Sequence, residues 1–225
     1  TYGPHARTGH SREVVLKLAA KHPQREALEL LAREIAPSAT AMAQGITGFA
    51  AGRPSPSPVV RLFSFLIAQS RVAPRVSLDG QPLAFTPRQP TAQDQPTAAP
   101  AERAAATEPA GPTTRVPLLR LAHGRSGDKG DSSNVGIIAR SAAAYAELRR
   151  VLGAPVVASY FSHVALGPVT RYELPGLLAL NFVMERALGG GGVASLRYDP
   201  QGKAFAQMLL DLEVEIPSAV LDTLP

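Results

Sequence analysis

Between residues 86 and 116 the chain holds 20 Pro, Ala or Thr among 31 residues, no aromatic side chain, and Val116 as its only large aliphatic. A stretch of that composition buries too little apolar surface to offset the entropy of ordering it, so it reads as a linker. Its six prolines make it semi-extended, with a reach of roughly 30 Å as a coil and about 95 Å as polyproline II. This one segment forbids a single continuous core and divides the chain into folded parts at residues 1–85 and 117–225.

In the first part, Val14, Leu16, Leu18 and Ala20 alternate with Glu13 and Lys17, the pattern of a half-buried strand. Pro23 opens a helix whose Ala27, Leu28, Leu31 and Ile35 form one apolar stripe, and Pro37 ends it. A second strand is expected from Val59 through Ile67, with Phe63 and Phe65 facing a core. Asp79-Gly80 then supplies a hairpin turn within residues 75–85, and Pro82 confines the second arm to an edge. Strand, helix, strand and hairpin fill residues 1–85, with a start that reads as cut through a larger unit.

The second part centres on residues 125–136, where charge, hydroxyl, amide and three glycines lie between two apolar runs, Pro117–Ala122 and Asn134–Ala139, both read as strands. Gly127 and Gly130 permit close backbone approach, so the amides of 127–130 with Lys129 can form an anion-accepting concavity, with Asp128 beside the charge. A solvated hairpin loop with a local Asp128–Lys129 contact fits the same residues. Arg125, Ser126 and Asn134 complete the candidate binding set, and Asp128 and His163 are the candidate acid–base groups. His163 also fits a structural role, which is the commoner one for a lone histidine. Ser126, His123 and Asp128 have the residue types of a hydrolytic triad, but lie too close in sequence to reach its geometry.

Further along, a helix over residues 142–152 with Tyr145, Leu148 and Leu152 inside is closed by Gly153 and Pro155. A strand is expected over Val169–Leu174, where Arg171 and Glu173 share a face. Pro175 is expected to open a helix through Leu188 with Leu177, Leu180, Met184 and Leu188 inward, ended by Gly189–Gly192. Strand Ala194–Tyr198, a turn at Asp199–Gly202, a helix through Leu210 and an alternating Leu212, Val214, Ile216 strand finish the chain. Interleaved in this way, the elements suit an α+β sandwich with helices on one face of a mainly antiparallel sheet.

Composition removes several function classes. There is no cysteine, hence no disulfide and no thiolate chemistry or Cys-based zinc site, which fits a cytoplasmic setting. His5 and His10 lie at no recognised metal-ligand spacing, and no metal is expected. The net charge of +5 arises entirely in residues 1–85, where ten basic and five acidic groups are scattered without aromatic interleaving, so no nucleic acid is expected. No apolar run is long enough for a membrane span.

Arg125-Ser-Gly-Asp-Lys-Gly with Asn134 and Gly136, Val169-Thr-Arg-Tyr-Glu-Leu-Pro175, Leu180-Asn-Phe-Val, Leu188-Gly-Gly-Gly-Gly192 and Pro54-Ser-Pro-Ser-Pro-Val-Val-Arg-Leu-Phe-Ser-Phe65 together resemble the acyclic terpene utilisation (AtuA-like) proteins. The resemblance spans both folded parts and omits the linker. It implies a ferredoxin-like domain over 117–225, an α/β portion over 1–85 that is the C-terminal end of a larger domain, and a bacterial role in breaking down citronellol- or geraniol-type terpenoids through acyl-CoA intermediates. It names no reaction, catalytic residue or cofactor. Two classes stay open: handling of a small-molecule anion or branched acyl-CoA compound, or an assembly module, as a homo-oligomer or in an enzyme complex, tethered to an active site elsewhere.

Overall fold

The computed structural model describes residues 1–7, 9–47, 52–63, 65–88 and 111–224. Most of the segment read as a linker, residues 89–110, lies outside the described residues. Its last residues do not continue that reading. Thr113–Pro117 form a strand (β3) paired antiparallel with Glu213–Pro217 (β8), so the C-terminal unit begins before residue 117.

The C-terminal unit is built on a four-stranded antiparallel sheet in the order β4-β5-β7-β6: Ala122–Lys129, Ser132–Ala139, Ala179–Met184 and Val169–Leu174. Val135, Ile137, Leu180, Phe182 and Met184 point to one side of it and are fully buried. Against them pack helices α3 (Ala142–Val151), α4 (Ala154–Tyr160) and α5 (Phe205–Leu210), through Leu148, Val157, Phe205 and Leu209. Tyr145, Leu148 and Leu152 are inward as expected, and Ser141 Oγ caps α3 by accepting from Ala144 N at 3.1 Å. The β3–β8 pair and the short helix α6 (Ser218–Leu221) close the end of the core.

Three expectations fail here. The run Pro117–Ala122 is no single strand: Leu118–Arg120 make a 3-10 turn, and the strand starts at Ala122 and runs through the charged residues to Lys129. Residues 175–188 are not a helix, because Leu178 takes φ +50° and the chain returns as β7 between β5 and β6. Leu180, Met184 and Leu188 are buried as foreseen, while Leu177 is exposed. Residues 194–198 form a 3-10 turn and irregular chain in place of a strand. Gly189–Gly192 all have positive φ, and Gly191 packs so closely on Gly130 O that a side chain there has no space.

In the first part, α1 (Arg25–Glu34) and the hairpin of β1 (Val76–Leu78) and β2 (Gln81–Leu83), turned by Asp79 at φ 49° and Gly80 at φ 79°, form as expected. A single-turn helix α2 covers Ser38–Ala41. The expected strands at 14–20 and 59–67 are absent among the described residues: those of both stretches join no ladder, and Leu62, Phe63, Phe65 and Leu66 are 70% or more exposed. Their aliphatic composition suits a strand, but no neighbouring strand pairs with them. Lys17 Nζ donates to Arg197 O at 2.8 Å, Lys21 Nζ donates to Ala194 O, and His5 stacks on Tyr160 with ring centroids 3.9 Å apart.

Candidate functional site

The glycine- and charge-rich stretch is a β-hairpin and not a loop. Register pairs Arg125 with Gly136, Gly127 with Asn134 and Lys129 with Ser132, leaving only Gly130 and Asp131 at the tip. The concavity expected from the amides of 127–130 is therefore replaced by ladder pairing over 127–129. The sequence folds this way because β4 is an edge strand with one open face, where charged side chains cost little, while Val135 and Ile137 on β5 anchor the pairing in the core.

Strand alternation then sorts the candidates onto two faces. Ser126 and Asp128 belong to the helix-covered side. Ser126 is buried; its Oγ donates to Lys203 O at 3.1 Å and accepts from Ala206 N at 2.9 Å, fixing the start of α5 to the edge strand. This spends the hydroxyl structurally and rules it out as a triad nucleophile beside His123, which lies on the opposite face. Asp128 pairs with Ser133 in the ladder, and its carbonyl accepts from Lys129 Nζ at 2.9 Å, so the contact between the two residues runs through backbone and not carboxylate. Asp131, at the tip, accepts from Gly190 N through Oδ1 at 2.7 Å and from Ala187 N and Leu188 N through its carbonyl, tying the hairpin to the glycine run.

The open face gathers the rest. One row across the sheet reads Arg125, Gly136, Asn181, Tyr172, and the next reads Gly127, Asn134, Val183, Thr170. Asn134 Nδ2 donates to Asn181 Oδ1 at 3.2 Å. Gly127 and Gly136 carry no side chain, so the floor between Arg125 and the two amides is backbone. Lys203 Nζ comes round the edge strand to within 3.5 Å of the position a Gly127 Cβ would take. At the far end of the face, Ile138 and Leu174 are 51% and 41% exposed. The paired positions of this face carry no carboxylate, and Glu185 follows Val183 in the same phase just past the last pair, where its N donates to Pro168 O. Asn181, Tyr172 and Lys203 were not singled out as binding residues from the sequence. Asn181 interrupting Leu180 and Phe182 was a readable signal, whereas the approach of Lys203 depends on the fold.

His163 is not brought to this hairpin by any contact among the described residues. Its ring stands edge-on to His5 with centroids 5.4 Å apart, 6.5 Å from Phe161, and beside Gly3. Burial holds its pKa below the ordinary imidazole value, with the neighbouring His5 ring adding to the effect. Arg171 and Glu173 pair at 2.8 Å, and Arg171 Nη1 also donates to Arg149 O and Leu152 O at the end of α3, a structural role. Among the described residues no cluster of three or more His, Asp or Glu stands ready for a metal ion, and no helix is long and apolar enough to cross a membrane.

Residues 2–78 match the acyclic terpene utilisation family protein AtuA, and residues 116–215 match the AtuA ferredoxin-like domain. No curated protein and no solved structure matches the chain. The second match covers the four-stranded sheet with its three helices, and the two together span both folded parts. An antiparallel sheet with helices on one face, joined to a segment of the terpene-utilisation type, makes this chain a member of the AtuA-like family.

Proposed function

We propose that this protein serves acyclic terpene breakdown by holding a carboxylate- or phosphate-bearing acyl compound, of the acyl-CoA kind, on the open face of its ferredoxin-like sheet. The observation that carries the reading is the concentration of Arg125 and Lys129 with the Asn134–Asn181 amides over a glycine floor. Cations with pre-positioned amide groups recognise anions through charge-assisted hydrogen bonds. The apolar end at Ile138 and Leu174 offers surface to a hydrocarbon portion. In this reading Ser126 and Asp128 hold the hairpin in shape, and the anion role passes from the amides of 127–130 to Arg125, Lys129 and Asn134. His163 has no part in it.

A backbone amide NMR titration with butyryl-CoA tests the assignment. Shifts should concentrate on Arg125, Gly127, Asn134, Gly136 and Asn181, and shifts confined to other residues would count against it. The second reading, an assembly module, draws on the exposed Ile138, Tyr172 and Leu174 of the same face and on exposed Leu177 in the turn that follows. We further infer that residues 1–85 belong to a larger α/β unit. The exposed aliphatic residues Val14, Val15, Leu16 and Leu18, and Val59, Val60, Leu62, Leu66 and Ile67, support this, because side chains of that kind suit a paired strand.

A further inference from the structure

The edge strand β4 carries a notch. Along it the open face presents His123, Arg125, Gly127 and Lys129 in turn, and Gly127 leaves the space between the two longer cations without a side chain. Lys203, from the turn before α5, enters that space from outside the sheet: its Nζ lies 3.5 Å from the position a Gly127 Cβ would take. The lysine is aimed there by a backbone that its neighbours fix. Asp199 accepts from Lys203 N through Oδ1 and from Ala204 N through Oδ2, both at 2.9 Å. Lys203 O accepts from Ser126 Oγ at 3.1 Å, and Gly202, at φ +61°, packs so closely on Ser133 that a side chain there has no space.

The cations around the notch are not equivalent. Lys129 Nζ donates to Asp128 O, and Glu185, one step past the Ser133–Met184 pair, is the acid in line with its row. Lys203 Nζ and the Arg125 guanidinium, by contrast, have no hydrogen bond or ion pair among the described residues. Arg125 and Gly127 are two residues apart on one face, roughly 7 Å along the strand. That spacing places Lys203 Nζ within reach of an anion held by the Arg125 guanidinium, over a floor made of Gly127 and Gly136.

We infer that the anion taken up by the open face is a phosphate group, and that Arg125 and Lys203 hold it over Gly127. This rests on the reading of that face as an anion site, and goes beyond it by naming the group and a residue from outside the sheet. A guanidinium offers parallel donors to two phosphate oxygens, and an ammonium on the other side meets a third. A carboxylate has its two oxygens in one plane, where the guanidinium fork satisfies both, so Lys203 adds little to it. Glycine suits position 127 because a larger side chain would occupy the space that the phosphate and the ammonium share.

Amide NMR titration of the 225-residue chain at about pH 7 with inorganic phosphate, with malonate, whose charge is no smaller, and with butyryl-CoA tests it. Phosphate should bind more tightly than malonate, with shifts on Arg125, Gly127 and Lys203. Lys203→Ala removes no hydrogen bond or ion pair of the fold, and should weaken phosphate and butyryl-CoA at least tenfold while leaving malonate within twofold. Gly127→Val keeps every charge and fills the notch, and should act as Lys203→Ala does; if it fails to fold, Lys203→Ala decides alone. Lys129→Ala should cost less than Lys203→Ala. The inference is overturned if malonate binds as tightly as phosphate, or if Lys203→Ala binds phosphate and butyryl-CoA as the wild type does. Where butyryl-CoA still binds, either result strikes the phosphate assignment and leaves the open face as the anion site. A wild type that binds neither phosphate nor butyryl-CoA strikes both.

Discussion

Ser126 shows how a residue type that suggests chemistry becomes structural once the strand phase is known. Its hydroxyl bridges Lys203 O and Ala206 N in a buried setting. Ser126→Ala leaves both groups without that partner and should lower stability by about 1–3 kcal/mol in urea denaturation, without altering anion binding. His163 gives the other residue-scale expectation. Its folded pKa lies below the unfolded one, chiefly from burial, so the unfolded chain takes up the proton first as pH falls. The contribution is full above the ordinary imidazole value and declines as pH drops through it toward the folded value. Thermal midpoints should therefore fall between pH 7 and pH 5, and His163→Gln should flatten that part of the profile. An unchanged slope in the variant would assign the effect to other groups.

At the scale of elements, β7 explains both the successes and the errors of the sequence reading. Leu177, Leu180, Met184 and Leu188 fit a helical stripe after Pro175, while Leu180, Phe182 and Met184 fit the two-residue period of a strand. Local pattern did not decide between them; pairing on both sides with β5 and β6 did. The burial forecast for Leu180 and Met184 survives the change of element, since both are fully buried. Leu180→Ala or Met184→Ala should each cost about 2–5 kcal/mol through a cavity in the core, read from denaturant midpoints, and unchanged midpoints would refute this packing. The helices at 142–151 and 205–210, strand 169–174 and the Asp79-Gly80 hairpin were legible because caps, turn residues and periodicity agreed. Helix α4 was missed because Gly153 and Pro155, read as closing α3, also open a helix. The candidate site was legible as a set of residues in 125–134, but not as a face. A charged edge strand has no hydrophobic alternation, so nothing local revealed that Arg125 and Lys129 point one way and Ser126 and Asp128 the other.

On the scale of the whole molecule, two folded parts of unlike character are matched to two segments of one family, with a Pro-, Ala- and Thr-rich stretch between them. Because β3 pairs with β8 from Thr113 onward, limited proteolysis should cut first between residues 86 and 112 and leave the C-terminal unit intact. First cuts inside residues 113–224 would contradict that boundary. The central claim, that the open sheet face holds an anionic acyl compound, is tested most directly by calorimetric titration of the chain with butyryl-CoA at low and physiological salt. The wild type should bind saturably and more weakly as salt rises. Arg125→Ala with Lys129→Ala should weaken binding about tenfold, equivalent to about 1.4 kcal/mol, with the melting temperature unchanged. No binding by the wild type, or equal binding by the double variant, would contradict the claim and leave the assembly-module reading in its place.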